Sequence, residues 1–466
     1  MSRHQPDRRR FRVPRCSSRV AFWLQISILV ELLASSSVPT PLYSIYQARW
    51  GITPITITVV FAVYAFAVLS ALLVVGKLSD HIGRRPVLFA ALAVQLVALV
   101  VLVSASGMGM LTAGRVLQGL STGSAVGAIG AALIDIDAAR GTVANGVGPM
   151  TGTGSGALIS GVAIQYLPAP THLIYVALIG VVVIQLVGLT LVGETVTRKA
   201  GALAALKPEL GIPARARRAF LAAVPALIAV WSIAGFDGSL GPSLARELAG
   251  SSSYVLGGLP LTFLASGAAT SIFLTRNVEP QRTMRAGAIL IGVGMGGALA
   301  SIEAGSAVGF FIATVVAGLG FGGGFQGSIR TVVPLAHPHE RAGTLSALYV
   351  VSYLAFGLPA IVAGVLVEHL GLLATARGYA AVVTVLAAAA LIGSIRGREA
   401  PPAPGCGTSL TSREHGYGSP RGAPRAAGSH LRAGATDRPD RPQPRREGQH
   451  EGRAAGRGGR RLPARG

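Results

Sequence analysis

Charge is what this sequence has least of. Only 13% of its 466 residues are Asp, Glu, Lys or Arg, against about 25% in an ordinary soluble domain. Acid is scarcer still, with 19 Asp and Glu set against 41 Lys and Arg. A chain so poor in charge, 51% apolar and with a mean hydropathy of +0.56, is excluded from the soluble globular class. It reads as a polytopic membrane protein. The net charge of +22 would otherwise point to nucleic acid. Here the cations lie in the two ends and in short loops rather than on one folded face, so no nucleic-acid partner is expected.

Cysteine is nearly absent. Cys16 and Cys406 both fall in segments expected on the cytoplasmic side, and no structural disulfide is predicted. Lysine occurs only at Lys77, Lys199 and Lys207. The preference for Arg, Ala, Gly and Pro suits a GC-rich bacterial genome. The nine histidines show no metal-ligand spacing, and no Walker-type phosphate loop is present. No catalytic constellation emerges. The expectation is therefore no enzyme, no metal and no cofactor.

What the chain does have is a succession of apolar runs. Twelve spans of roughly 18–25 residues, the length that crosses ~30 Å of hydrocarbon, are predicted. They cover about 20–38, 55–75, 87–105, 110–134, 145–167, 173–193, 219–240, 254–274, 285–304, 307–329, 343–367 and 375–395. Loop charges alternate with this count. Loops after odd spans hold Arg49, Arg246 and Arg377, whereas those after even spans hold Lys77, Arg84 and Arg85, then Arg140, then a basic stretch from Arg198 to Arg218. The later even loops continue with Arg276, Arg282, Arg285, Arg330 and Arg341. The positive-inside rule then puts both termini in the cytoplasm, in a multi-pass protein of the inner (plasma) membrane. Arg8-Arg9-Arg10-Phe11 resembles a twin-arginine export signal, but the spans that follow favour a positively charged anchor.

The spans group into two. Residues 1–19 read as a basic cytoplasmic N-terminus, 20–193 as a six-span half, 194–218 as a cytoplasmic linker broken by Pro208 and Pro213, and 219–398 as a second half. An internal repeat supports the division, since SGVAIQYL at 160–167 aligns with AGVLVEHL at 363–370. Residues 399–466 turn to Arg, Gly, Pro, Ala and Ser, with thirteen Arg and six acids. Such a composition cannot bury a core, so a disordered cytoplasmic tail is expected.

Several stretches could carry chemistry. Gly76 to Pro86, GKLSDHIGRRP, joins spans two and three with a tight turn in which Asp80 faces Arg84 and Arg85 across Gly83. Span four opens on Arg115-Val116-Leu117-Gln118-Gly119 and continues with Gly123 and Gly127, a small-residue face for close helix packing. An ionisable residue inside a span is a functional candidate, although Arg115 could also reach out to the headgroups. Span five carries Gly148-Pro149, then Gly152 and Gly156. Glu31 is the deepest carboxylate, Asp237 lies toward the outer end of span seven, Glu303 at the outer edge of span nine, and Asp135 at the inner end of span four. A carboxyl group in hydrocarbon is held most cheaply as the neutral acid, which suits a proton carrier. Glu31 could also attract a cationic substrate, or simply bond a neighbouring helix. Gln25, Tyr64, Gln185, Gln326 and Tyr353 are candidates either for lining a cavity or for holding helices together.

The stretch from Gly76 to Arg85 resembles the loop signature of the major facilitator superfamily, G-x-L-[SA]-D-[RK]-x-G-R-[RK], with His81 the one departure. Arg115 to Gly119 matches the family's R-x-x-Q-G motif. Span five is similar to the G-x-x-x-G-P-x-x-G-G motif of proton-driven antiporters, except at Ala144 and Thr153. The resemblance implies an all-α membrane protein of twelve helices in two parallel six-helix repeats, acting as a monomer on protons and a small-molecule substrate within the lipid bilayer. It further implies a conformational-switch loop of Gly76, Asp80, Gly83, Arg84 and Arg85 with Asp135, its charge relay intact in the outward-open state. Arg115, with Glu31 and Asp237, would serve proton coupling or the substrate. Gly148, Pro149, Gly152 and Gly156 would pack helices. The favoured function is a drug:proton antiporter exporting small amphipathic compounds, with the proton gradient as energy source. The alternatives are proton-linked uptake or facilitated diffusion of a sugar or organic acid, and a transporter-like sensor acting through the tail.

Overall fold

The computed structural model describes residues 17–194, 196 and 199–396. The expected tail, both cysteines and nearly all of the basic N-terminus lie outside the described residues. Helices account for almost everything else. In chain order they are α1 (Ser18–Ser37), α2 (Pro39–Trp50), α3 (Pro54–Val75), α4 (Ser79–Ile82), α5 (Arg84–Val103), α6 (Met108–Ile136), α7 (Ala138–Tyr166) and α8 (Pro170–Leu191). After the linker come α9 (Ala214–Ser239), α10 (Gly241–Leu248), α11 (Val255–Leu274), α12 (Pro280–Glu303), α13 (Ala307–Val332), α14 (Arg341–Leu370) and α15 (Leu372–Arg396).

Each of the twelve expected spans is found as a helix. In hydrocarbon the backbone must satisfy its own hydrogen bonds, and the helix does so within one segment. Eleven of the described helical segments are long and apolar enough to cross a membrane, with α1 and α2 counted as one. The twelfth, α7, is as long as α6 but rich in Gly and Thr, which lowers its hydropathy without shortening it. Prolines sit where a missing N–H costs nothing, at the starts of α2, α3, α8, α10 and α12. Asp137 caps α7 by accepting from the Arg140 N–H at 2.9 Å, and Ser306 caps α13 through Gly309 at 3.1 Å.

The largest departures of helix ends from the expected spans lie outward, while α5 and α8 stop two residues short. The first span does not stop at residue 38 but bends at Val38 and runs on as α2, and the seventh bends at Leu240 into α10. Likewise α9 begins at Ala214, so Arg215, Arg217 and Arg218 belong to a helix rather than to the linker. Polar first and last turns extend an apolar helix without changing its period, and hydropathy alone truncates them.

The two halves share one plan. The first helix of each bends near a proline, Pro39 in one and Pro242 in the other, and the fifth of each carries an interior proline, Pro149 or Pro359. The halves then meet reciprocally: α7 packs on α11, and α14 packs on α3. The fifth helix of each half thus lies on the second helix of the other, the exchange expected of two parallel repeats. One apolar core fills the first half, around Leu29, Leu32, Leu88, Leu92 and Ile129. Two further cores fill the second half.

Candidate functional site

Between the halves lies a cavity of about 400 Å³. Its lining comes from α1, α2, α3, α6 and α7 on one side and from α9, α11, α13 and α14 on the other. At the end of the bundle away from the described chain ends, the halves are closed against each other. There the Tyr254 N–H donates to Gln165 Oε1 at 3.0 Å and the Ile55 N–H to Glu368 Oε1 at 3.5 Å. At the other end the lining reaches Thr142 and Asn145 in the first turns of α7, and Ile329 and Arg330 in the last turn of α13. The cavity therefore extends toward the side that holds both described chain ends.

The first half gives this cavity a polar wall. Arg115 is only 1% exposed. One of its terminal nitrogens donates to the Ser36 carbonyl at 2.9 Å and to Gln118 Oε1, and the guanidinium lies 4.2 Å from the centre of the Tyr64 ring. A side chain held in this way does not reach for headgroups. It faces inward. Gln118 passes the connection on, donating to the Ser35 carbonyl at 2.9 Å and to Ser35 Oγ at 2.8 Å. Gln95 Nε2 donates to the same Ser35 Oγ at 2.8 Å and to Glu31 Oε1 at 3.4 Å. A hydrogen-bonded chain thus runs from the cavity wall at Arg115, through Gln118, Ser35 and Gln95, to the buried Glu31. Glu31 itself stands behind the wall and is not among the lining residues, so it is not placed to receive a substrate cation.

The second half gives an aromatic wall. Trp231 has Tyr353, Phe325, Phe321 and Phe356 around it at ring distances of 5.2 to 5.7 Å. Of the polar residues expected to line a cavity, Tyr64, Gln326 and Tyr353 do so. Gln25 and Gln185 do not. Both are buried, and Gln185 bonds Ser27 of α1 at 3.4 Å. Asp237 is 2% exposed and off the main cavity, in a tight apolar pocket beside Phe236, Met295 and Phe310. Gly241, at the bend into α10, lies beside its carboxylate. Glu303 pairs with Arg377 at 2.9 Å on the exposed rim.

The switch-loop residues come together within the first half. Arg84 bonds Asp80, donates to Ser79 Oγ at 2.8 Å and lies 3.6 Å from Asp135. The resemblance assigns the intact relay to the outward-open state, yet here it is formed while the cavity extends to the opposite side. Both carboxylates belong to the same half as Arg84, so the contact does not require the halves to meet at this end. Lys77 pairs instead with Glu209 of the linker. Between α11 and α12 of the second half, Glu279 pairs with Arg282 at 2.8 Å.

Glu194 was not singled out by sequence reasoning. Its carboxylate accepts from the backbone N–H groups of Arg84 at 2.9 Å and Arg85 at 3.0 Å, capping α5 from a loop more than a hundred residues away in the chain. The available signal was its isolation, as the one acid between Asp137 and Glu209. Gly83 makes room for it. Its φ of +105° is a conformation glycine takes freely, and a methyl group there would stand 2.7 Å from Glu194 Cδ.

The small-residue motifs mark helix contacts. A methyl on Gly119 would lie 2.6 Å from the Tyr64 carbonyl of α3, and one on Gly152 2.5 Å from the Val30 carbonyl of α1. Gly148 and Gly156 face the same helix α1, and Ser37 Oγ donates across this contact to the Thr153 carbonyl at 2.8 Å. Pro149 turns toward the cavity beside Met150.

Comparison with known proteins places this geometry. The Major Facilitator Superfamily profile matches residues 26–353. No curated protein matches the chain in sequence. Among solved structures, the chain is similar to a POT family transporter in complex with 5-aminolevulinic acid, at 14% identity and a TM-score of 0.64, over 81% of this chain and 96% of that one. It is similar to a peptide transporter POT in complex with sulfate at 14% identity and a TM-score of 0.65, over 82% and 96%. It is also similar to the nucleoside transporter NupG at 11% identity and a TM-score of 0.62, over 80% and 99%. At these identities the likeness is one of fold.

Proposed function

The chain belongs to the major facilitator superfamily, and we propose that it is a proton-coupled exporter of small amphipathic compounds working by alternating access. The observation that carries this reading is the chain of hydrogen bonds from Arg115 on the cavity wall to the enclosed carboxyl group of Glu31. Amide side chains do not relay protons, so this chain carries position and charge rather than the proton itself. A solute that draws Arg115 away disturbs Gln118, then the Ser35 hydroxyl shared by Gln118 and Gln95, then the partner of Glu31. Loading of the cavity and the charge on Glu31 are thereby linked.

In this mechanism the halves rock about the cavity. The far-end contacts at Gln165 and Glu368 open as Lys77, Asp80, the first turns of α7 and the last turn of α13 close the other end. Asp80, Arg84 and Asp135 keep the switch loop in register during that motion. The positive-inside pattern puts the chain ends in the cytoplasm of the inner membrane. The span-five motif, similar to that of proton-driven antiporters, supports export over uptake. Asp237 is the matching candidate in the second half.

The test is proton movement in inverted membrane vesicles energised by respiration, challenged with compounds of each charge class. Substrate addition should release protons, and Glu31→Gln should abolish the release or uncouple it from transport. A variant that keeps wild-type coupled rates across pH would remove Glu31 from the mechanism.

A further inference from the structure

The cavity's charge is one-sided. Two cations, Arg115 and Arg330, line it, and no Asp or Glu appears in that lining among the described residues. Arg330 donates to the Thr275 and Val278 carbonyls at 3.0 and 2.9 Å, which fixes its place at the cavity's open end without neutralising it. Arg115 is more telling. It is almost wholly enclosed, and among the described residues its Nε–H has no hydrogen-bond partner and no carboxylate lies within ion-pair distance. A buried cation without a counter-ion is expensive, and an arriving anion relieves that cost.

The other unpartnered groups agree with an acceptor-bearing guest. Thr122 Oγ1 and Trp231 Nε1 are both enclosed, both line the cavity and both lack a partner among the described residues. Indole N–H and arginine N–H only donate, so these positions call for a ligand rich in acceptors. Facing them, the cluster of Trp231 with Phe321, Phe325, Tyr353 and Phe356 offers edges and faces to a planar ring. Arg115 stands on the first half and the Trp231 cluster on the second, so a guest that meets both must carry its charge at one end and its ring at the other.

We propose that the cavity takes a small aromatic monoanion, an aryl carboxylate or sulfonate. Its acid group sits at Arg115 and its ring lies against the Trp231 cluster. This names the substrate class of the exporter proposed above and rests on that reading. Amphipathic amines are disfavoured, because the lining holds two cations and no carboxylate to receive them.

The experiment compares three probes of one shape and different charge: 2-naphthoate, 2-naphthamide and 2-naphthylmethylamine. Binding to the purified full chain is measured by calorimetry at pH 7. The acid should bind at least tenfold more tightly than the amide, and the amine more weakly than either. Arg115→Gln should erase the preference for acid over amide; Arg115→Lys should keep part of it. Equal or tighter binding of the amine or amide by the wild type overturns the proposal, and that ranking needs no variant to fold. So does an unchanged acid preference in a folded Arg115→Gln. Proton release in liposomes separates this idea from the transport reading. Arg115-dependent naphthoate binding with naphthoate flux but no proton movement would leave the substrate class standing and refute antiport. Proton-coupled flux of the amine alone would do the reverse.

Discussion

Glu194 and Gly83 allow a prediction that rests on a single contact. The Glu194 carboxylate caps the first turn of α5 through two backbone N–H groups, at 2.9 and 3.0 Å. A side-chain cap of this kind contributes about 1–2 kcal/mol, so Glu194→Ala should lower the melting midpoint by roughly 2–8 °C for a unit the size of one six-helix half. Gly83→Ala imposes two costs. The methyl would stand 2.7 Å from Glu194 Cδ, and the backbone at φ +105° and ψ 154° would be strained by about 1–3 kcal/mol. The methyl also evicts the cap. Once it is gone, removing the carboxylate costs little more. The double variant should therefore melt close to Gly83→Ala alone, with a coupling of about 1–2 kcal/mol between the sites. Dye-monitored melting of the purified wild type, both single variants and the double would measure it. Strict additivity would show that Glu194 does not hold this turn. A neutral Glu194→Gln, keeping one acceptor oxygen, should fall between Glu194→Ala and the wild type.

Further outcomes can be checked alongside. Gly156→Leu drives α7 off α1 at the Ser37–Thr153 hydrogen bond and should destabilise by about 1–3 kcal/mol, read as reduced thermal stability and reduced transport. Trp231→Ala removes the centre of the aromatic wall and should raise KM for an aromatic substrate about tenfold or more while leaving folding nearly intact, as tested by initial-rate flux. Glu340 accepts from the His337 backbone N–H and pairs with Arg215, which holds its carboxyl below the usual carboxylate range. Its contribution should persist above the ordinary carboxylate pKa and fade as pH falls below about 4. Proteolysis of the linker should therefore accelerate there, and Glu340→Gln should show fast cleavage already at neutral pH. Deleting 399–466 should leave flux unchanged in a transporter; a loss of signalling output with flux intact would favour the sensor alternative.

The sequence carried the architecture because membrane helices are set by length and hydropathy, both local properties. Each of the twelve spans was legible for that reason, even the glycine-rich α7. Helix ends were less so, since the polar turns of α2, α9 and α10 lie beyond any apolar run. Motif residues fell where small side chains permit contact, as with Gly152 against α1 and Gly119 against α3. What could not be read was which way a side chain points. A helix that is apolar all round gives no moment to orient Gln25 or Gln185, and both turned out to be buried away from the cavity lining, Gln185 bonded to Ser27 of α1. The link from Glu31 to Arg115 needs Gln95 of α5 and Ser35 of α1, residues that no motif marks. The aromatic wall gathers side chains from α9, α13 and α14, which only the tertiary fold brings together.

The far-end closure sets the energy scale of the proposed cycle. Where the halves meet there, Gly161, Gly258 and Gly364 let backbone lie almost directly on backbone, with two side-chain to backbone hydrogen bonds nearby. A gate of interlocking leucines would expose about 1.5–3 kcal/mol of apolar surface for each side chain withdrawn. Glycine withdraws no side chain, and each hydrogen bond gives up only about 0.5–1.5 kcal/mol when water replaces the partner. One proton descending 100 mV supplies about 2.3 kcal/mol. A gate of bulky side chains alone would exceed that supply several times over; here glycines and two polar contacts replace part of such a gate, beside Tyr254 packed on the first-half core. The small residues at this contact thus bring the work of opening closer to the charge that a single turnover moves.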